Sequence, residues 1–126
     1  MVDARDIIAL SDAIARQFSP QRIVLFGSYA RGDASVDSDV DLLVIMPHRR
    51  PSHHQATRIR LATDVKFPLD LIVRRPQDIP RRIAQNDFFL REVMEKGIVL
   101  YAADDPRMGE QGRRRLRRGI AAAAVA

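Results

Sequence analysis

Two short apolar runs, Arg22 to Phe26 and Val40 to Met46, flank a polar connection that opens on Gly27-Ser28 and closes on Asp39-Val40-Asp41. No other stretch constrains the chain as strongly. Runs of this length and composition predict buried strands, so a small-residue turn and a pair of acids are placed at two strand ends. Side chains alternate along a strand, which puts Asp39 and Asp41 on one face and Val40 and Leu42 on the other.

Two carboxylates held that close repel each other and resist joint ionisation unless a cation neutralises them. Hard oxygen donors select magnesium or manganese, so the pair points to a divalent metal. Gly27 lets the backbone pass close to a ligand, and Ser28 offers a hydroxyl and an amide at the start of a short helix, which suits a phosphate. Arg31 follows one helical step later, where a guanidinium fork matches the same kind of oxygens. Asp70, in Pro68-Leu69-Asp70-Leu71-Ile72-Val73, is an acid in an apolar run, where a lone charge is costly to bury. If its strand lies beside the one carrying Asp39 and Asp41, three carboxylates can hold two ions about 3.5–4 Å apart, as in-line phosphoryl or nucleotidyl transfer uses.

The remaining pattern predicts one α/β domain. Ile7, Ile8, Leu10, Ile14 and Phe18 recur at near-helical spacing up to Pro20. Ser28 to Arg31 reads as a short helix ended by Gly32. Ser52 with Gln55 fits a capping box opening a long helix, with Ile59, Leu61, Ala62 and Val65 as its buried side. Leu69 to Val73 reads as a third strand, Pro76 to Gln85 and Asp87 to Lys96 as two short helices, and Ile98 to Tyr101 as a last strand. The domain is expected to span residues 1–103. From Asp104 onward the chain is polar, then basic, then Ala-rich, with no pattern that must pack, and residues 104–126 are expected to form an appendage able to turn helical on a partner.

The chain's 126 residues suit a single core, and 46% hydrophobic against 29% charged residues indicates a folded body. No apolar run approaches the roughly 20 residues of a membrane span, and the first ten residues carry two acids, Asp3 and Asp6, where a signal peptide is basic, so a cytoplasmic protein without a membrane partner is expected. Without cysteine there is no disulfide or thiolate nucleophile, and any metal must bind oxygen or histidine. The net charge of +5 is concentrated in Arg113, Arg114, Arg115, Arg117 and Arg118; setting those aside leaves 16 basic against 16 acidic side chains. Direct nucleic-acid binding is therefore disfavoured except through that arginine tail, which otherwise docks on a partner or stays solvated. His53 and His54 are adjacent on a helix and read as solvated, Asp33 and Asp37 as turn acids. Arg49 and His54 match a ribonuclease spacing by coincidence, since Pro51 interrupts them. Tyr29 stands outside the site, either packed on a neighbour or open to modification.

Gly-Ser, ten residues, then Asp-x-Asp resembles the signature of the minimal nucleotidyltransferases of the DNA polymerase β superfamily, complete here as Gly27-Ser28, Asp39 and Asp41. The third acid and the closing Glu95-Lys96-Gly97-Ile98-Val99-Leu100-Tyr101 extend the likeness over roughly residues 5 to 101. The resemblance implies a polymerase-β-like α/β (α+β) fold, with a small mixed sheet flanked by helices. It implies Asp39, Asp41 and Asp70 as catalytic residues holding two Mg²⁺ ions, with Asp70 helping to deprotonate an acceptor hydroxyl. Gly27, Ser28 and Arg31 become nucleotide-binding residues for ATP as donor. Among small members the likeness is to MNT antitoxins, which pair with HEPN-domain ribonuclease toxins and modify a toxin tyrosine with AMP. An AMP-transferring antitoxin of type VII-like action is implied, against two alternatives: a transferase acting on a small-molecule hydroxyl, as aminoglycoside-modifying relatives do, or an antitoxin that only binds and occludes.

Overall fold

The computed structural model describes residues 1–125, with side chains through residue 119. Its elements run α1 (Ala4–Phe18), β1 (Arg22–Phe26), α2 (Ser28–Arg31), β2 (Val40–Ile45), α3 (Ser52–Thr63), β3 (Leu69–Arg74), α4 (Asp78–Ala84), α5 (Phe88–Lys96), β4 (Ile98–Ala102) and α6 (Pro106–Val125). The four strands form one mixed sheet in the order β3-β2-β1-β4. β1 is antiparallel to both of its neighbours, whereas β2 and β3 run parallel and are joined through α3. A parallel pair cannot be closed by a tight turn, which is why a whole helix intervenes there.

Strand alternation divides the core in two. Ile23, Leu25, Val40, Leu42 and Val44 pack with α1 residues such as Ile7 and Ile14. Val24, Leu43 and Ile45 face the other way, against Ile79 of α4 and Leu90 and Val93 of α5. The acids of β2 and β3 occupy odd positions relative to Val40 and Leu69, so they share the face on which α4 and α5 lie. Helix starts follow local chemistry: the Asp3 carboxylate accepts the Arg5 N–H at 2.8 Å, and Asp87 accepts that of Leu90 at 2.9 Å.

Three local expectations change. α3 begins on Ser52 itself with Pro51 as its cap residue and no side-chain capping bond, so the Ser52/Gln55 capping box does not form. The extended backbone that proline supplies already sets the helix entry. The buried side of α3 is Gln55, Ala56 and Ile59, while Leu61 is 82% exposed and Ala62 is also exposed. Residues two apart lie on nearly opposite sides of a helix, so Ile59 and Leu61 cannot share a face.

The third change concerns the stretch after β4. Instead of carrying no pattern that must pack, it forms α6 against β4, with Leu116 1% exposed in the main core. Gly109 and Gly112 make the approach possible: a Cβ on Gly112 would collide with the Val99 carbonyl, and one on Gly109 would lie 3.0 Å from that of Leu100. Arg113 of the tail donates to the Leu100 carbonyl at 2.8 Å. β4 is an edge strand, and a helix laid along it shields the edge from pairing with another chain. Among the described residues no helix is long and apolar enough to cross a membrane.

Candidate active site

The site grows from two registers. Asp41 pairs with Phe26 across the antiparallel β1/β2 ladder, and with Asp70 across the parallel β2/β3 ladder. Neighbouring strands lie about 4.8 Å apart, so Asp41 and Asp70 stand side by side on one face. The strand adjacency on which a three-carboxylate site depends is thus present. Asp39 precedes β2 by one residue and is exposed, as is Asp70, whereas Asp41 is half-buried.

Burial and crowding act on Asp41 in the same direction. Desolvation raises its pKa above the ordinary 3.8, the negative charges of Asp70 and then Asp39 raise it further, and Arg31 lowers it. The surroundings of Asp41 therefore disfavour its charge, with Arg31 as a partial offset.

β1 ends where the cradle begins. Gly27 has φ +75°, and a Cβ there would collide with the Asp41 carboxylate. Any side chain at this position would be strained and would displace the acid. The residue makes the turn and also lets it touch the acids. α2 then starts at Ser28, with its first backbone bonds from Ala30 and Arg31 to the Gly27 carbonyl, so the Ser28 and Tyr29 amides precede the first helical bond. Gly32, at φ +84°, ends the turn. Arg31 is exposed, with its Nε 3.3 Å from Asp33.

A cleft of about 280 Å³ joins these parts, with Gly27, Arg31 and Asp41 on one side and Phe89, Glu92 and Lys96 of α5 on the other. The α5 contribution was missed from sequence. Its signal is a stripe at 89, 92, 93 and 96, the spacing of one helix face, on which aromatic, acidic and basic residues mix where a plain core stripe would be apolar. Phe89 meets Phe26 edge to face, ring centroids 5.4 Å apart, and both rings line the cleft.

The other singled-out residues lie elsewhere. Tyr29 is 4% exposed and its hydroxyl accepts the Val2 N–H at 2.9 Å, so it packs in the core and is closed to modification. Asp33 pairs with Arg31, and Asp37 is exposed in the loop. His53 and His54 are exposed with ring centroids 4.2 Å apart, and among the described residues no third ligand joins them.

Among the described residues no three His, Asp or Glu side chains converge as a ready-made metal cage. The chemistry of the donors nevertheless suits a hard divalent ion. Asp39, Asp41 and Asp70 present only carboxylate oxygens, and their mutual repulsion is answered within the chain by Arg31 alone among the charges acting on Asp41.

Comparison with known proteins bears on the family and the fold. The sequence profile described as "Nucleotidyltransferase domain" matches residues 7–100. A Methanocaldococcus jannaschii protein named "Putative protein adenylyltransferase MJ0141" is 35% identical over 52 residues, 41% of this chain and 52% of that one. A second from the same organism, "Putative protein adenylyltransferase MJ1305", is 59% identical over 39 residues, 29% of this chain and 26% of that one. The chain thus matches about half the length of one curated relative and about a quarter of the other. In three dimensions it superposes on a crystal structure titled as a "putative nucleotidyltransferase" from Sulfolobus solfataricus, with TM-score 0.59 at 17% identity, covering 81% of this chain and 82% of that one. That likeness shows the fold: a four-stranded mixed sheet flanked by helices. Enzymes of this kind use a nucleoside triphosphate and a divalent metal. With the profile covering three quarters of its length, the chain belongs to the nucleotidyltransferase domain family.

Proposed function

We propose that this protein transfers AMP from ATP to a hydroxyl group on a partner protein, a tyrosine of a HEPN-domain toxin, and acts as that toxin's antitoxin. The observation that carries the transfer is the contact between the cradle and the acids: Gly27 abuts Asp41, which stands in register with Asp70. A phosphate held at Ser28 and Arg31 is thereby next to the carboxylates. The naming of two relatives as protein adenylyltransferases supports a protein acceptor. The likeness of the Gly27 to Asp41 motif to MNT antitoxins supports the toxin as that acceptor.

In this reading Asp39, Asp41 and Asp70 would hold the magnesium ions, which when bound neutralise charge on the donor phosphates. The chain's own groups have separate tasks. Ser28 and the open amides of α2 orient the triphosphate, with Arg31 beside them. Asp70, exposed at the start of β3, receives the proton of the acceptor hydroxyl. The hydroxyl oxygen forms its bond to the α-phosphorus as the bond from that phosphorus to the bridging oxygen breaks. Pyrophosphate leaves on the Gly27, Ser28 and Arg31 side, and the acceptor keeps AMP.

The test combines the purified protein, labelled ATP, magnesium and a HEPN protein encoded beside it, with mass spectrometry of tyrosine peptides. Label on a toxin tyrosine, lost in the Asp39→Asn, Asp41→Asn double variant, is the expected result. Label on a small alcohol or sugar instead would move the acceptor to a small molecule. Full neutralisation of the toxin by the double variant would leave occlusion as the mode of action.

A further inference from the structure

The acid cleft contains a second cation that the motif does not include. Lys96, in the last turn of α5, lines the same cleft as Arg31 and Asp41 but comes from a different wall. The two cations are held in the same way, each by a carboxylate of its own neighbourhood. Arg31 Nε lies 3.3 Å from Asp33, both side chains being 62% exposed. Lys96 Nζ lies 3.7 Å from Glu92, at 75% and 65% exposure. Exposed pairs of this kind gain little in water and exchange readily for a better anion.

A polyphosphate is such an anion. Its oxygens carry more charge than one carboxylate, and charge-assisted bonds to them are stronger than neutral ones. Phe26, Phe89 and Val93 also line the cleft, so no further carboxylate on that part of its wall competes with the phosphate. The backbone under Lys96 is fixed: Leu90 and Val93 are buried against the sheet, and Asp87 caps the start of the helix. Only the four-carbon stem has to swing, and a lysine serves phosphate as a mobile point charge where arginine serves as a rigid fork.

We propose that Lys96 is a substrate-binding residue, which leaves Glu92 to grip the terminal phosphates of the donor nucleotide across the cleft from Arg31. The assignment rests on the nucleotidyl-transfer reading and adds to it a residue from outside the strand motif. As the bond between the α-phosphorus and the bridging oxygen breaks, the electron pair goes to the departing pyrophosphate. Lys96 and Arg31 then hold the growing negative charge from two sides, and Lys96 keeps its proton throughout.

Equilibrium binding of magnesium with the non-hydrolysable analogue AMPCPP, and of magnesium pyrophosphate, tests this on the full chain. Lys96→Ala is expected to weaken both ligands by about tenfold, the loss of one charge-assisted contact, with an unchanged melting temperature because the side chain is exposed. Lys96→Arg, which keeps the charge, is expected to recover most of the affinity. Wild-type affinity in Lys96→Ala would overturn the proposal while leaving nucleotidyl transfer intact. So would an equal loss in Lys96→Arg, since charge would not be the cause. Failure of the wild-type protein to bind either ligand would overturn the transfer reading itself.

Discussion

Asp78 and Asp41 lie on the same side of the sheet, yet the chain treats them in opposite ways. Asp78 sits at the start of α4 with its side chain 12% exposed, bonded by Arg75 Nε at 2.9 Å and by Arg81 at 2.8 Å. Those hydrogen bonds hold its pKa below the ordinary value. Asp41 makes no ion pair among the described residues; burial and two neighbouring aspartates push its pKa up. One acid has been given its counter-charges by the fold. The other has been given more negative charge, an arrangement that costs stability and that a bound cation would relieve.

The largest effect should therefore fall on function at Asp41 and on stability at Asp78. Asp41→Asn removes a carboxylate from the acid cluster, and nucleotidyl transfer should drop by at least about a hundredfold, measured as label transferred per folded molecule. Asp78→Ala should leave transfer per folded molecule near wild type and lower the melting temperature, because Arg75 and Arg81 are left without their shared partner. If Asp78→Ala abolished transfer in a protein that melted normally, the division between the two acids would be wrong.

The two acids should also respond to pH with opposite sign. A depressed folded pKa means that the Asp78 contribution is fully present above the ordinary value of 3.8 and is lost as pH falls through its folded pKa. A raised folded pKa means that the Asp41 contribution is present below 3.8 and is lost as pH rises through its folded pKa, so at pH 7 ionised Asp41 destabilises the metal-free fold. In melting experiments with chelator, Asp78→Asn should be less stable than wild type at pH 7 and Asp41→Asn more stable. The Asp41→Asn difference should shrink toward pH 4, whereas the Asp78→Asn difference should persist there and fade only below 3.8. Adding magnesium should erase the Asp41→Asn advantage by stabilising wild type alone.

The contrast also explains what could be read from the sequence. Asp39 and Asp41 were legible because alternation within a single strand needs no knowledge of neighbours, and Gly27-Ser28 because a turn is a local event. The pairing of Asp70 with Asp41 was not, since strand order is decided by the packing of α3 across the sheet and not by any local pattern. Phe89, Glu92 and Lys96 escaped for the same reason: α5 joins the site only through tertiary contact. α6 was hidden differently. Gly109 and Gly112 have the composition of a turn, and their use as close-approach positions exists only once β4 is beside them. Leu116→Ala should cost about 2–5 kcal/mol if α6 belongs to the core as its burial indicates, measured by denaturant unfolding.

The smallest expected effect sharpens the comparison most finely, because it concerns an ion pair that looks structural and is argued to be provisional. Arg31 and Asp33 are 3.3 Å apart with both side chains 62% exposed, whereas Arg75 and Arg81 hold a nearly buried acid. If Arg31 is kept for phosphate, its bond to Asp33 contributes no more than an exposed pair does, about 0–1 kcal/mol, and Asp33→Asn should leave unfolding free energy within about 0.5 kcal/mol of wild type. The same change removes a negative charge that competes with phosphate, so magnesium AMPCPP should bind as well as before or slightly more tightly. Arg31→Ala should likewise spare stability while weakening that ligand. A stability loss in Asp33→Asn as large as that in Asp78→Asn would instead make Arg31 part of the scaffold, and the cradle would then be Gly27 and Ser28 alone.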